Sequence, residues 1–576
     1  MDWHGRPVVA IDFGDDRTIR VVAGGGGRPT VDTFEQAAFG GVATMLLLSD
    51  GTVMAQQVAS GTNFTRNWFK LTPDSSGSYV NGDWTNRAPM NYTRLFYSSV
   101  LLRDGRVFVA GAEYGTGWNT AEVYSPDNDT WTIIPVPAGL VTQNNTVNST
   151  NAVNSAGFMD SGCVLLPDGR VLISPVNPGT AGGTVIFDPN SNTCSAGPAF
   201  VNGDSSSDEQ SWVKLPDDSI LTFDSSLSSQ RYIPSLNQWI PDKNLPVQLY
   251  DAFGGEIGAG FLLPNGRAFY LGANGNTVLY TPSGNTSFGN WTIGPPILNA
   301  QATPDAAAAM MANGRILCAV SPVPTSKNNL FTTPTSFYEY DYSSGSTGAF
   351  VRVDSPRGNF TNAGPSFITR MLDLPDGTVL FADGGSQLYE YQPGGSPLPA
   401  GKPAIGSVTW NGNGSLHLTG TLFNGISQGA AYGDDAQMDS NYPLIRFTDG
   451  SGNVSYGHTV YWSRTGVQTG NQLVTTECAL SSAVAYGPGA YTMQVVANGI
   501  ASDPVGLSGP VWVDFNFGGS PQNGTYSNPY HLLAQGTNVV AAGAEIFLKP
   551  GLSHETMTIT KPMTIVAIGG WAIIGQ

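Results

Sequence analysis

The sequence predicts an all-β chain dominated by a repeat array, and three observations predict it. First, 576 residues exceed what one hydrophobic core can organise. Second, 72 glycines, 22 tyrosines and 12 tryptophans with only 12% charged residues describe turn-dense, aromatic-punctuated strands, and long amphipathic helical patterns are nearly absent. Third, one strand-turn-strand signature recurs seven times between residues 40 and 400. Together they point to a seven-bladed β-propeller followed by smaller β units.

The signature runs LLLSDGTVMA at Asp50, VLLRDGRVFVAG at Asp104, VLLPDGRVLI at Asp168 and VKLPDDSILTF at Asp217. It continues as FLLPNGRAFYLG at Asn265, MMANGRILCAV at Asn313 and LDLPDGTVLFADGG at Asp376. Asp-Gly or Asn-Gly between apolar strands is a strong hairpin signal, because these residues tolerate the positive φ of a tight primed turn. The turns lie 54, 64, 49, 48, 48 and 63 residues apart, which is the kelch period of one four-stranded blade per unit. An aromatic half follows most turns: Tyr124 with Trp131, Phe187 with Cys194, Tyr232 with Trp239, Tyr280 with Trp291, and Tyr340. These residues are expected to fill the space between blades.

Four segments follow. Residues 1–40 read as a hairpin and a Gly-rich linker, residues 41–400 as the propeller, residues 401–510 as a sandwich and residues 511–576 as a short docking segment. The N-terminal string AIDFGDDRTIRVVAGGGG resembles the first hairpin of Hsp70-like ATPases over about 30 residues, too few to imply ATPase activity. Alternation in SVTWNGNGSLHLTGTLFNG and YTMQVVANGIASDPVGL predicts an immunoglobulin-like sandwich. The last segment, GTYSNPYHLLAQGTNVVAAGAEIFLKPGLSHETMTITKPMTIVAIGG, resembles the opening coil of a pectin-lyase-like parallel β-helix, with a short helix near Tyr530 to Val540. A solenoid needs several coils to bury its core, so this segment is expected to pack on the rest of the chain or to mediate oligomerisation or assembly.

A net charge of -18 excludes nucleic acid as a natural partner and disfavours anionic membranes. No apolar run is long enough to cross a membrane, and MDWHGRPVVAIDFGDD carries no signal peptide, although the architecture suggests a secreted or cell-surface protein. Four cysteines make no disulfide framework; Cys163 and Cys194 fall on the inner and outer strands of one blade and are expected as small buried residues.

Propeller followed by sandwich resembles the galactose oxidase and glyoxal oxidase family over roughly residues 40–510. In that family a copper ion on the propeller axis is held by two tyrosines and two histidines, one tyrosine being cross-linked to a cysteine. The resemblance places the cross-linked tyrosine in Arg94-Leu95-Phe96, eight residues before Asp104, where the residue is phenylalanine. Tyr97 is displaced by one position and is expected on the opposite face. The family's Tyr-His pair falls on Phe367 and Ile368, and no cysteine lies near Asp50. All five histidines, His4, His417, His458, His531 and His554, lie outside the propeller; His458 comes roughly where the family's last ligand would. The expectation is an oxidase-type fold without copper.

The position eight residues before each turn is a ruler for the axis. It reads Val42, Phe96, Asp160, Glu209, Ile257 with Glu256 beside it, Asp305 and Ile368. Asp160, Glu209, Glu256 and Asp305 therefore form a candidate ring of oxygens for Ca²⁺ or for a cationic or polyhydroxyl ligand. Two other readings stay open: carboxylates that only solvate a water-filled channel, and a catalytic acid-base pair. Tyr114 and Trp118 in GAEYGTGWNT are candidates for stacking on a sugar ring. The run Tyr432-Gly433-Asp434-Asp435 resembles a calcium loop but lacks EF-hand spacing, so a plain turn is expected. The leading expectation is a non-enzymatic binding or structural protein with a glycan or protein partner. The alternatives are a hydrolase or lyase in an acidic channel mouth and a subunit of a larger surface or phage-like assembly.

Overall fold

The computed structural model describes residues 11–12, 18–22, 41–58, 65–147, 153–202, 209–356, 361–411, 413–432, 436–480 and 490–575. The chain is all-β, with one α-helix, Leu533–Val539, among the described residues.

Each of the seven turns joins two antiparallel strands, from Val42–Leu47 with Val53–Gln57 to Arg370–Asp373 with Val379–Ala382. The turn chemistry differs from the primed hairpin that the dipeptides suggest. Only the second turn residue has positive φ, from +75° at Gly51 to +91° at Gly377, with Asp218 at +65° where glycine is missing. The Asp or Asn before it instead accepts a hydrogen bond from the backbone N–H two residues on, as Asp50 does from Thr52 and Asp104 from Arg106. The same bond recurs at Asp168, Asp217, Asn265, Asn313 and Asp376. Glycine supplies the left-handed step, and the carboxylate or amide fastens the turn.

Six units are complete four-stranded antiparallel sheets within residues 42–353, the sixth lying inside a larger sheet. The seventh, Arg370–Tyr391, has three strands of its own, and Thr18–Val22 pairs with Leu388–Tyr391 to supply the fourth. Seven self-contained blades are thus corrected to six plus one completed by the N-terminal hairpin, which joins Ile11–Asp12 to Thr18–Val22. The aromatic halves are cross-strand partners: Tyr124 faces Trp131, Phe187 faces Cys194, Tyr232 faces Trp239 and Tyr280 faces Trp291. Between blades, Phe108 stacks on Phe187 at 4.3 Å and Phe269 on Tyr340 at 3.9 Å. Cys163, Cys194, Cys318 and Cys478 are buried free thiols.

Strands from Ala404 to Ser508 form a sheet folded on itself over Leu418, Phe447, Val474 and Val495. One hairpin leaves it. Gly429–Tyr432 and Ala436–Asp439 run into the propeller, where Ala430–Tyr432 pairs with Ala307–Ala309. The alanine run Ala306–Ala309, almost fully buried, lets this backbone approach closely. Ala430 and Met438 join Met45, Ala309 and Met371 in one apolar core, so the axis is packed rather than a water-filled channel. Residues 433–435, the remainder of the calcium-loop resemblance, lie outside the described residues.

In the last segment Val511–Val513, Glu545–Leu548 and Thr564–Ala567 are parallel, and Gly551–Ser553 pairs in parallel with Ala572–Ile574. Trp410 of the sandwich meets Phe547 edge-on at 5.4 Å, and Phe547 also meets Trp512. Trp571, Ile573 and Ile574 remain exposed. No helix is long and apolar enough to cross a membrane among the described residues.

Candidate functional site

The axial hairpin ends at the propeller mouth, and Tyr432 forms its floor. The Tyr432 hydroxyl donates to Asp305 Oδ2 at 2.8 Å. The Arg370 guanidinium lies 3.4 Å from the centroid of the Tyr432 ring, which also stacks on Phe96 at 5.8 Å. Arg370 is buried, and its Nη1 donates to the carbonyls of Phe367 and Thr369. Two blades and the sandwich hairpin therefore meet through the Phe96 ring, the Arg370 guanidinium and the Tyr432 ring, and a third blade adds Asp305.

Around this floor stand the predicted carboxylates. Phe96, Asp160, Glu209 and Asp305 occupy equivalent places in four blades and share a left-handed backbone, with φ of 53°, 48°, 55° and 46°. Four non-glycine residues in this sparsely populated region repeat one turn at the entry to the innermost strand. Glu256 is presented differently. Asp251 accepts hydrogen bonds from the N–H groups of Phe253, Gly254, Gly255 and Glu256, so the loop is tied around its carboxylate. A fifth acid, Glu113, was not on the repeat ruler. Its backbone N–H reaches the carbonyls of Leu95 and Phe96, and the pairing of Arg94–Leu95 with Tyr114–Gly115 carries it to the mouth. The sequence signal for it is GAEYG, an acid beside an aromatic in the longest loop of that blade.

These acids share one electrostatic field. Burial pushes Glu113 up to about 9, reinforced by Asp160, Asp305 and Glu256. Burial raises Glu256 to about 9 as well, with Asp305 and Asp160 adding to it against a hydrogen bond with Glu209. Asp305 rises only to about 6, because the Tyr432 hydroxyl and the Arg370 charge favour its anion. The mouth therefore offers protonated carboxyls as donors next to an ionised carboxylate as acceptor. Tyr114 borders it, edge-on to Phe96 at 5.9 Å and hydrogen-bonded to Glu113. Trp118 lies half-buried in the same loop. That loop hangs on Arg94, whose buried guanidinium donates to the carbonyls of Gly111, Gly117 and Thr120 and pairs with Glu122 at 2.9 Å.

Among the described residues no three His, Cys, Asp or Glu side chains come together as metal ligands. The positions where the resemblance puts copper ligands carry hydrocarbon side chains at Phe96, Phe367 and Ile368. Phe96 sits against Tyr432, while Phe367 and Ile368 form a 3₁₀ turn, with Phe367 packed on Phe331 at 4.3 Å. Tyr97 points away and bonds Gln56. His417 pairs with Glu477 in the sandwich, and His458 lies beside Asp127 on the opposite, turn-bearing face of the propeller.

No family model matches this chain, and no curated protein matches it. Among solved structures it is similar to a fungal alcohol oxidase of the AA5 family in complex with copper. The identity is 12% and the TM-score 0.46, covering 81% of this chain and 96% of that one.

Proposed function

We propose that the chain is a binding protein whose propeller mouth grips a polyhydroxyl ligand, a glycan in the first instance, without copper. The observation that carries this reading is the floor of Phe96, Tyr432 and Arg370 ringed by Glu113, Asp160, Glu209, Glu256 and Asp305. Carboxyls in both protonation states supply the donors and acceptors that neighbouring hydroxyls require, and Tyr114 offers a ring edge at the rim. Hydrocarbon side chains at Phe96, Phe367 and Ile368, where the resemblance puts phenolate and imidazole ligands, support the copper-free reading. Glycan-array binding by wild-type protein, lost in the Asp160→Asn/Glu256→Gln/Asp305→Asn variant, supports the reading. An array without hits, or hits indifferent to those substitutions, ends it. Stoichiometric copper in the purified protein contradicts the metal-free part.

One observation favours a second reading as a hydrolase or lyase. Glu256 keeps its proton while Asp305 gives it up more readily, which is the division between a general acid and a general base. Release of new reducing ends from a bound glycan, abolished by Glu256→Gln with binding retained, would move the protein into that class.

A further inference from the structure

On the turn-bearing face, the Asp50 turn, the Asp104 turn and a sandwich strand enclose a cavity of about 380 Å³. It is separate from the mouth. Its walls combine hydrocarbon from Leu48, Pro126 and Leu480 with Lys70, Arg87, His458, Asp50 and Asp127. The charged groups face one another without closing hydrogen bonds. Lys70 stays 3.9 Å from Asp50, His458 3.7 Å from Asp127, and Arg87 reaches only 3.7 Å toward Asp129. Among the described residues the Arg87 Nε–H is buried without an acceptor, and Nη2 donates to Thr85. Asp50 Oδ1 is committed to Thr52, which leaves Oδ2 toward the cavity. Asp127 is 77% exposed and opens onto solvent.

In a chain of net charge -18, a cavity lined by two cations and two carboxylates is locally balanced. A simple anion gains nothing there from the long-range field, and a simple cation meets Lys70 and Arg87. A ligand carrying both charges meets the two cations and Asp127 at once. We infer that this cavity is a binding site for a small zwitterion of the α-amino-acid type. Its carboxylate meets Lys70 and Arg87, its ammonium meets Asp127, and a short apolar side chain lies on Leu48 and Leu480. This site does not depend on the reading of the mouth.

Calorimetry with L-leucine, 4-methylpentanoate and 3-methylbutylamine tests it on the full chain. L-leucine is expected to bind at least about tenfold more tightly than either half, since a charged hydrogen-bond pair is worth that much. Lys70→Gln and Asp127→Asn should each weaken L-leucine by about tenfold, while Asp160→Asn at the mouth leaves it unchanged. Asp127 is exposed, with His458 3.7 Å away, so its variant tests the site even where Lys70→Gln lowers the melting temperature. No heat with L-leucine, equal affinity for 4-methylpentanoate, or indifference to Asp127→Asn overturns the inference.

Discussion

The two faces of the propeller use the same residue type in opposite ways. On the turn face, Asp50, Asp104, Asp168, Asp217 and Asp376 each accept a backbone N–H two residues ahead through Oδ1, which fixes the carboxylate to the turn. At the mouth, Glu113 and Glu256 look at other acids, Asp160 and Asp305 among them, and burial and mutual repulsion keep protons on the two glutamates. The repeat supplies the turn acids and Asp160 at equivalent places, whereas loops of their own bring Glu113 and Glu256. What separates them is whether the backbone points donors at the carboxylate. An acid held by the backbone is fastened in its turn, and an acid buried against other acids holds its proton.

That contrast can be broken in order of expected effect. Replacing Arg94 by methionine should be the most damaging change, costing about 3–5 kcal/mol in denaturant unfolding, because Glu122 stays buried without its partner. It should also release the loop bearing Glu113 and Tyr114, seen as faster hydrogen exchange across residues 111–120. On the turn face, Gly51→Ala should cost about 2 kcal/mol or more, since the position has φ +75° and a Cβ would lie 2.5 Å from the Tyr456 ring. Asp104→Ala, which removes the acceptor for Arg106, should cost about 1 kcal/mol.

The mouth should respond with the opposite sign. Glu256 has a folded-state pKa raised to about 9, so the folded protein binds its proton more tightly than the unfolded chain does. Its stabilising effect is full below the unfolded value near 4.5 and is lost as pH rises toward 9. Glu256→Gln should therefore flatten the fall in melting temperature between pH 5 and pH 9 and gain about 1 kcal/mol at pH 8. Smallest of all, Asp503→Asn breaks the exposed pair with Lys402 and should change stability by less than about 0.5 kcal/mol.

The sequence by itself determined the repeat, its turns and the ruler to the axis. Those are local matters: a left-handed glycine after an Asx acceptor and an aromatic facing its cross-strand partner are set within a few residues. For the same reason Phe96, Asp160, Glu209 and Asp305 fall at equivalent places with one left-handed turn. Tertiary structure decided what crosses between units. Tyr432 comes from the sandwich and enters beside Ala307–Ala309, a distance of more than a hundred residues that no period encodes. Glu113 sits in a loop outside the repeat, Arg370 acquires its place only by lying over Tyr432, and Thr18–Val22 completes a blade whose other strands lie at the far end of the array. The turns and cross-strand pairs follow from neighbours along the chain. The floor of the mouth follows from an axial gap that only the assembled propeller defines and only a hairpin from another unit fills.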